Sequence, residues 1–155
     1  MELLSAAGQR LVFRLSKREK QLLCETLKLY PLIPRSHHQL SRQADADAEN
    51  QALLEEAIAA QKQTHKQQVD AWLANQARWA EESGGFRLAL DRDQIEWLLQ
   101  VLNDVRVGSW LILGCPDPDA GKQPKLTPKN AHFLVAMELC AHFQSELLEA
   151  LDQAH

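Results

Sequence analysis

Arg10-Leu11-Val12-Phe13-Arg14-Leu15, followed at once by Ser16-Lys17-Arg18-Glu19, decides how the chain is read. Leu11, Phe13 and Leu15 alternate with Arg10, Val12 and Arg14, the period of a strand with one buried face. Ser16 and Glu19 then stand at the spacing of a capping box: the serine hydroxyl accepts from the third helical N–H, and the glutamate accepts from the cap residue's own N–H. The spacing predicts a helix from there towards Tyr30, with Leu22, Leu23, Thr26, Leu27 and Tyr30 inward and Pro31 and Pro34 ending it.

The same grammar returns at Phe86-Arg87-Leu88-Ala89-Leu90, followed by Asp91-Arg92-Asp93-Gln94 and then Ile95, Leu98, Leu99 and Leu102. Phe13 matches Leu88, Leu15 matches Leu90, Ser16 matches Asp91 and Glu19 matches Gln94. A lone strand leaves its backbone groups unpaired, so the two strands are expected to pair. The expected architecture is a mostly α single domain over residues 1–155: a helical bundle with a small two-stranded sheet formed by two strand-cap-helix units.

Between the units, residues 45–82 are rich in Ala, Gln, Glu and Leu and contain neither Gly nor Pro, with Gly84-Gly85 as a stop. As one helix this stretch would exceed about 50 Å, longer than a domain of this size is wide. Leu54, Ile58, Val69, Trp72, Leu73 and Trp79 form its apolar stripe, interrupted by the polar run at residues 61–68, where a break or protrusion is expected. The helix after Asp91 continues through Val101, Val105 and Trp110 to the turn-forming Gly114-Cys115-Pro116-Asp117-Pro118. Thr127-Pro128 is read as the start of a last helix, whose core stripe runs from Leu134 and Val135 to Leu151.

Composition narrows the function classes. A net charge of −4 argues against a protein that coats nucleic acid. The charge is uneven, however. Residues 10–42 hold eight basic side chains against Glu19 and Glu25, while residues 130–155 hold four acids and no Lys or Arg. Either the two ends face each other, in the fold or across a dimer, or the basic segment meets an anionic partner. The amino terminus lacks the basic region of an export signal, and no apolar run reaches the ~18 residues of a membrane span. Cys24, Cys115 and Cys140 are odd in number and widely spaced, which suits buried thiols in a cytoplasmic protein.

Glu138, His142 and Glu146 share a helix face at four-residue steps, but no second helix supplies the Glu-x-x-His pattern of bundle metal sites. Asp117-Pro118-Asp119-Ala120-Gly121 opens like a calcium loop, yet Pro128 stands where a bidentate Glu is required. Phosphate loops, nucleophile elbows and zinc-protease motifs are missing from the sequence. Neither catalytic residue, metal ligand nor cofactor is assigned.

The most informative stretch is Leu102-Asn103-Asp104-Val105-Arg106-Val107-Gly108-Ser109-Trp110, where polar side chains interrupt an apolar helix. Asn103, Arg106 and Trp110 fall on one face and Asp104, Gly108 and Leu111 on another. Asn103, Asp104, Arg106 and Trp110 are therefore the candidate partner-binding residues. Their alternative role is to tie neighbouring helices together, since buried charge survives only when paired.

Trp97 to Gly114, centred on Leu102-Asn103-Asp104-Val105-Arg106-Val107, resembles the signature of an uncharacterised bacterial family of short helical proteins often encoded beside the ClpS adaptor of the Clp protease. The first strand-cap-helix unit and the closing helix from Ala131 to Leu151 are similar in order and spacing. Trp110 and Ile112 stand where that family's pattern has Gly and Arg. The family has no assigned activity, so the resemblance implies a helical fold and a neighbourhood in proteolysis. The leading expectation is a non-enzymatic protein-interaction or regulatory module with a protein partner, compatible with a homodimer. The alternatives are a metal-binding or enzymatic bundle using Glu138, His142 and Glu146 with Asp104 or Arg106, and a DNA-binding regulator.

Overall fold

The computed structural model describes residues 1–7, 10–34 and 48–154. Strands β1 (Glu2–Ala7) and β2 (Arg10–Ser16) lead into helix α1 (Lys17–Leu27). After the undescribed stretch come α2 (Ala48–Ala74), a short 3-10 turn (Gln76–Arg78), β3 (Trp79–Glu82), β4 (Gly85–Asp91), α3 (Arg92–Ile112) and α4 (Ala131–Gln153).

The two strand-cap-helix units form as the sequence implies. β2 and β4 pair antiparallel with Phe13 opposite Leu88 and Leu11 opposite Leu90. Both capping boxes close: Glu19 N–H donates to Ser16 Oγ at 3.1 Å and Gln94 N–H to Asp91 Oδ1 at 2.8 Å. Leu11, Phe13, Leu15, Leu88 and Leu90 are buried in one core cluster with Leu23 and Leu27 of α1, Ile95 to Val105 of α3 and Ala136 to Ala150 of α4. Arg14, Arg87 and Ala89 face outward.

The sheet, however, has four strands in the order β1-β2-β4-β3, all antiparallel, so the fold is α+β and not a helical bundle with a two-stranded sheet. β1 covers the free edge of β2, and β3 covers that of β4. Both added strands satisfy backbone groups that a two-stranded ribbon would leave open. Gly84, at φ +85, sits in the tight turn between β3 and β4. Gly85 begins β4 beside Leu15, whose carbonyl oxygen a Cβ there would approach to 2.3 Å.

The segment read as one helix over 45–82 is thus a helix and a strand. α2 ends at Ala74, and Trp79 enters the sheet, where it meets Trp72 edge to face at 5.1 Å between ring centres. Residues 45–47 lie outside the described residues. The polar run at 61–68 does not break α2, because Lys62 and His65 continue its inward stripe towards Val69 and Trp72, Lys62 pairing with Asp104 and His65 lying against the Tyr30 ring. α4 begins three residues after Pro128; Thr127 and Asn130 form a preceding turn in which Thr127 N–H donates to Asn130 Oδ1 at 2.7 Å.

α1 packs on α4, which sets the helix carrying Lys17, Arg18 and Lys20 against the acidic last helix. Lys20 lies over the Phe86 ring at 3.9 Å, and Lys28 pairs with Glu25 at 2.7 Å. No described helix is long and apolar enough to cross a membrane.

Candidate functional site on helix α3

α3 carries the four candidate residues, and the structure divides them. Asp104 is buried, whereas Asn103, Arg106 and Trp110 are exposed.

The Asp104 flank grips the chain that follows α1. Asp104 Oδ1 accepts from Leu32 N–H at 2.6 Å and from Ile33 N–H at 3.2 Å. Its other oxygen, Oδ2, faces Lys62 Nζ of α2 at 3.1 Å, and Lys62 also donates to Ile33 O at 2.6 Å. Gly108, one turn on, lets that segment approach: an added Cβ would stand 2.2 Å from Leu32 Cβ and 2.9 Å from its carbonyl carbon. Asp104 and Gly108 therefore form a clasp holding residues 32 and 33 between α2 and α3. The carboxylate is used by two backbone donors and one ammonium, as a buried charge must be.

A cleft of about 160 Å³ opens beside the clasp, lined by Tyr30, Lys62, His65, Gln100 and Asn103. Burial pushes the Tyr30 hydroxyl up to about 12, with Asp104 adding to the effect. Burial lowers the His65 imidazole below its usual value, while Asp104 pulls the other way. The cleft is smaller than the ~300 Å³ at which small-molecule sites usually begin.

The opposite flank faces α4. Arg106, Val107 and Trp110 line a groove of about 390 Å³ with Met137, Glu138 and Ala141. Trp110 is 37% exposed, yet its indole N–H donates to Pro116 O at 2.9 Å, which anchors the ring to the chain leaving α3. Arg106 makes a long hydrogen bond to Gln144 Oε1 at 3.4 Å. Beneath the groove, burial pushes the Cys140 thiol up to about 12 despite the nearby Arg106, so this sulfur is not an activated nucleophile. Asn103 lines the smaller cleft and does not join Arg106 and Trp110.

Glu138, His142 and Glu146 are not assembled into a metal site; among the described residues no group of three His, Cys, Asp or Glu side chains converges. His37 and His38, noted in the sequence, lie outside the described residues. Sequence reasoning missed Lys62 and His65, whose signal was their position on the Leu54-Ile58-Val69-Trp72 stripe.

An α+β domain with an antiparallel four-stranded sheet and a helix clasp of this kind defines the class. The chain belongs to the family described as Domain of unknown function (DUF2017), whose model matches residues 1–151. No curated protein and no solved structure matches it.

Proposed function

We propose that the chain acts as a single-domain, non-enzymatic interaction module of the cytoplasm, binding a protein partner through the groove between α3 and α4. The observation that carries this reading is the pairing of Trp110 and Arg106 on one wall of an open groove, opposite Met137 and Glu138. Trp and Arg dominate binding energy where interfaces are mapped. The hydrogen bond to Pro116 O holds the Trp110 ring in place before any partner arrives, so little side-chain entropy is lost on binding. The occupant expected is an apolar anchor of a partner protein flanked by charges that complement Arg106 and Glu138. The resemblance to a family encoded near a Clp adaptor makes components of that proteolytic system the first partners to test.

A photo-cross-linking amino acid at Val107, used in host cells, should trap one protein, and Trp110→Ala should abolish that adduct. A cross-linker at Gln68 on α2 should not form it. An equal adduct from both positions, or none from Val107, overturns the reading. A self-adduct from Val107 would make a second copy the occupant and replace the heterologous partner.

A further inference from the structure

A second cleft, of about 370 Å³, lies between the end of α2 and the start of α3, away from the α3–α4 groove. It is lined by Trp72, Asn75, Arg78, Asp93 and Trp97 among others. Three of these residues hold a buried N–H with no acceptor: Nε1 of Trp72, Nε1 of Trp97 and Nε of Arg78. Buried donors are nearly always satisfied in folded proteins, and an orphan destabilises the fold until an acceptor reaches it. All three belong to residues that line this one cleft, and neighbouring side chains cover them, so a common acceptor reaches them by displacing that cover. A fourth orphan, Ser109 Oγ, lines none of these clefts.

We infer that this cleft binds a small organic carboxylate with a flat apolar body, its oxygens meeting the Arg78 and indole N–H donors and its body lying against the two indole rings. The Trp72 and Trp97 ring centres are 6.4 Å apart at 47°, which makes an angled aromatic wall. The Arg78 guanidinium lies 5.5 Å from the Trp72 ring centre and forms no ion pair among the described residues. Burial lowers the pKa of Arg78 and Asp91 works against that fall, so the cation is partly desolvated and only distantly balanced. One guanidinium, with Asp91 acting on it from a distance and Asp93 lining the cleft, suits a single negative charge; a dianionic phosphate would face both acids with one cation to offset them. The cavity volume falls within the range of small-molecule sites, which are typically apolar walls with a few convergent polar groups.

Benzoate is the test probe, and benzyl alcohol, with the same ring and no charge, is its control. In nitrogen-15-labelled protein, benzoate should shift the indole N–H resonances of Trp72 and Trp97 saturably. Trp110, whose N–H is already given to Pro116 O, should stay in place. Arg78→Gln should weaken benzoate by about tenfold or more, the usual worth of a hydrogen bond to a charged group. Trp97→Phe keeps a ring and removes one donor, so it should weaken benzoate less while leaving benzyl alcohol unchanged. The assignment is overturned if benzoate gives no saturable shift, if benzyl alcohol binds as well as benzoate, or if both variants bind benzoate like the parent protein. Should Arg78→Gln not fold, the probe pair and Trp97→Phe still decide the matter.

Discussion

Asp104 and Arg106 stand two residues apart on α3 and meet opposite surroundings. Asp104 is buried and touches three groups from two other parts of the chain. Arg106 is exposed and, among the described residues, hydrogen-bonds only to Gln144, at 3.4 Å. With Gly108 on the inward flank and Trp110 on the outward one, a single stretch of helix carries a packing device and a free surface side by side. Polar residues in an apolar helix thus have two explanations that composition cannot separate: here Asp104 ties elements of the fold together, and the proposed binding role falls to the other face.

The inward flank should carry the larger stability. Asp104→Ala leaves two backbone donors without an acceptor and Lys62 without its carboxylate, a loss of about 3–5 kcal/mol for breaking a buried pair. The melting temperature should fall by roughly 10 °C or more. Asp104→Asn keeps an oxygen for Leu32 and Ile33 and should lose less. If Asp104→Ala melts like the parent protein, the clasp is not holding the segment after α1.

Gly108→Ala comes next. Its Cβ would meet Leu32 at 2.2 Å, which the segment can relieve only by moving away from α3. Overpacking of this kind costs about 1–3 kcal/mol. Both substitutions free the same two residues, so the double variant should lose less than the sum of the single ones. Additive losses in thermal melts would mean that Asp104 and Gly108 act on separate parts of the fold.

How much of this was legible depended on distance along the chain. The units Arg10 to Glu19 and Phe86 to Gln94 could be read because alternation and capping are local, and their pairing followed from the need to satisfy backbone groups. β1 and β3 could not be read so. Glu2-Leu3-Leu4-Ser5-Ala6-Ala7 and Trp79-Ala80-Glu81-Glu82 are rich in Ala and Glu, which strands disfavour, and they are extended because β2 and β4 offer them edges. Trp79 even sits seven residues after Trp72, the spacing of a helical face. The sequence marked Asp104 as unusual, but its role rests on backbone donors 72 and 71 residues away. The donors of the Trp72–Arg78–Trp97 cleft likewise meet only once α2 turns at Asn75 and the sheet sets α3 beside it.

A smaller effect follows from His65, which faces the clasp. Burial lowers its pKa from the ordinary 6.5, so the folded state favours the neutral ring and the unfolded state takes up the proton first as pH falls. The stabilising contribution is complete above about pH 6.5 and is lost as pH falls towards the lowered folded value. Lys62 and Tyr30 share the cleft, and Asp104, which favours the charged ring, limits the shift. Melting temperatures taken from about pH 7.5 to 5 should therefore decline, and His65→Gln should decline less. Parallel curves for the two proteins would remove His65 from the account.

The smallest effect is expected on the outward flank, and it tests the comparison most directly. Arg106→Ala removes an exposed side chain and one long hydrogen bond, so stability should change by no more than about 0.5 kcal/mol. Its charge also lies near Cys140, but that thiol stays protonated with or without it, because burial holds it up to about 12 and Arg106 only lowers it. A melt that overlays the parent's, together with loss of the Val107 adduct, would place binding on this flank and stability on the other. A drop as large as that of Gly108→Ala would show that Arg106 also ties α3 to α4. The α3–α4 groove would then be a seam of the fold, and the division between the two flanks would fail.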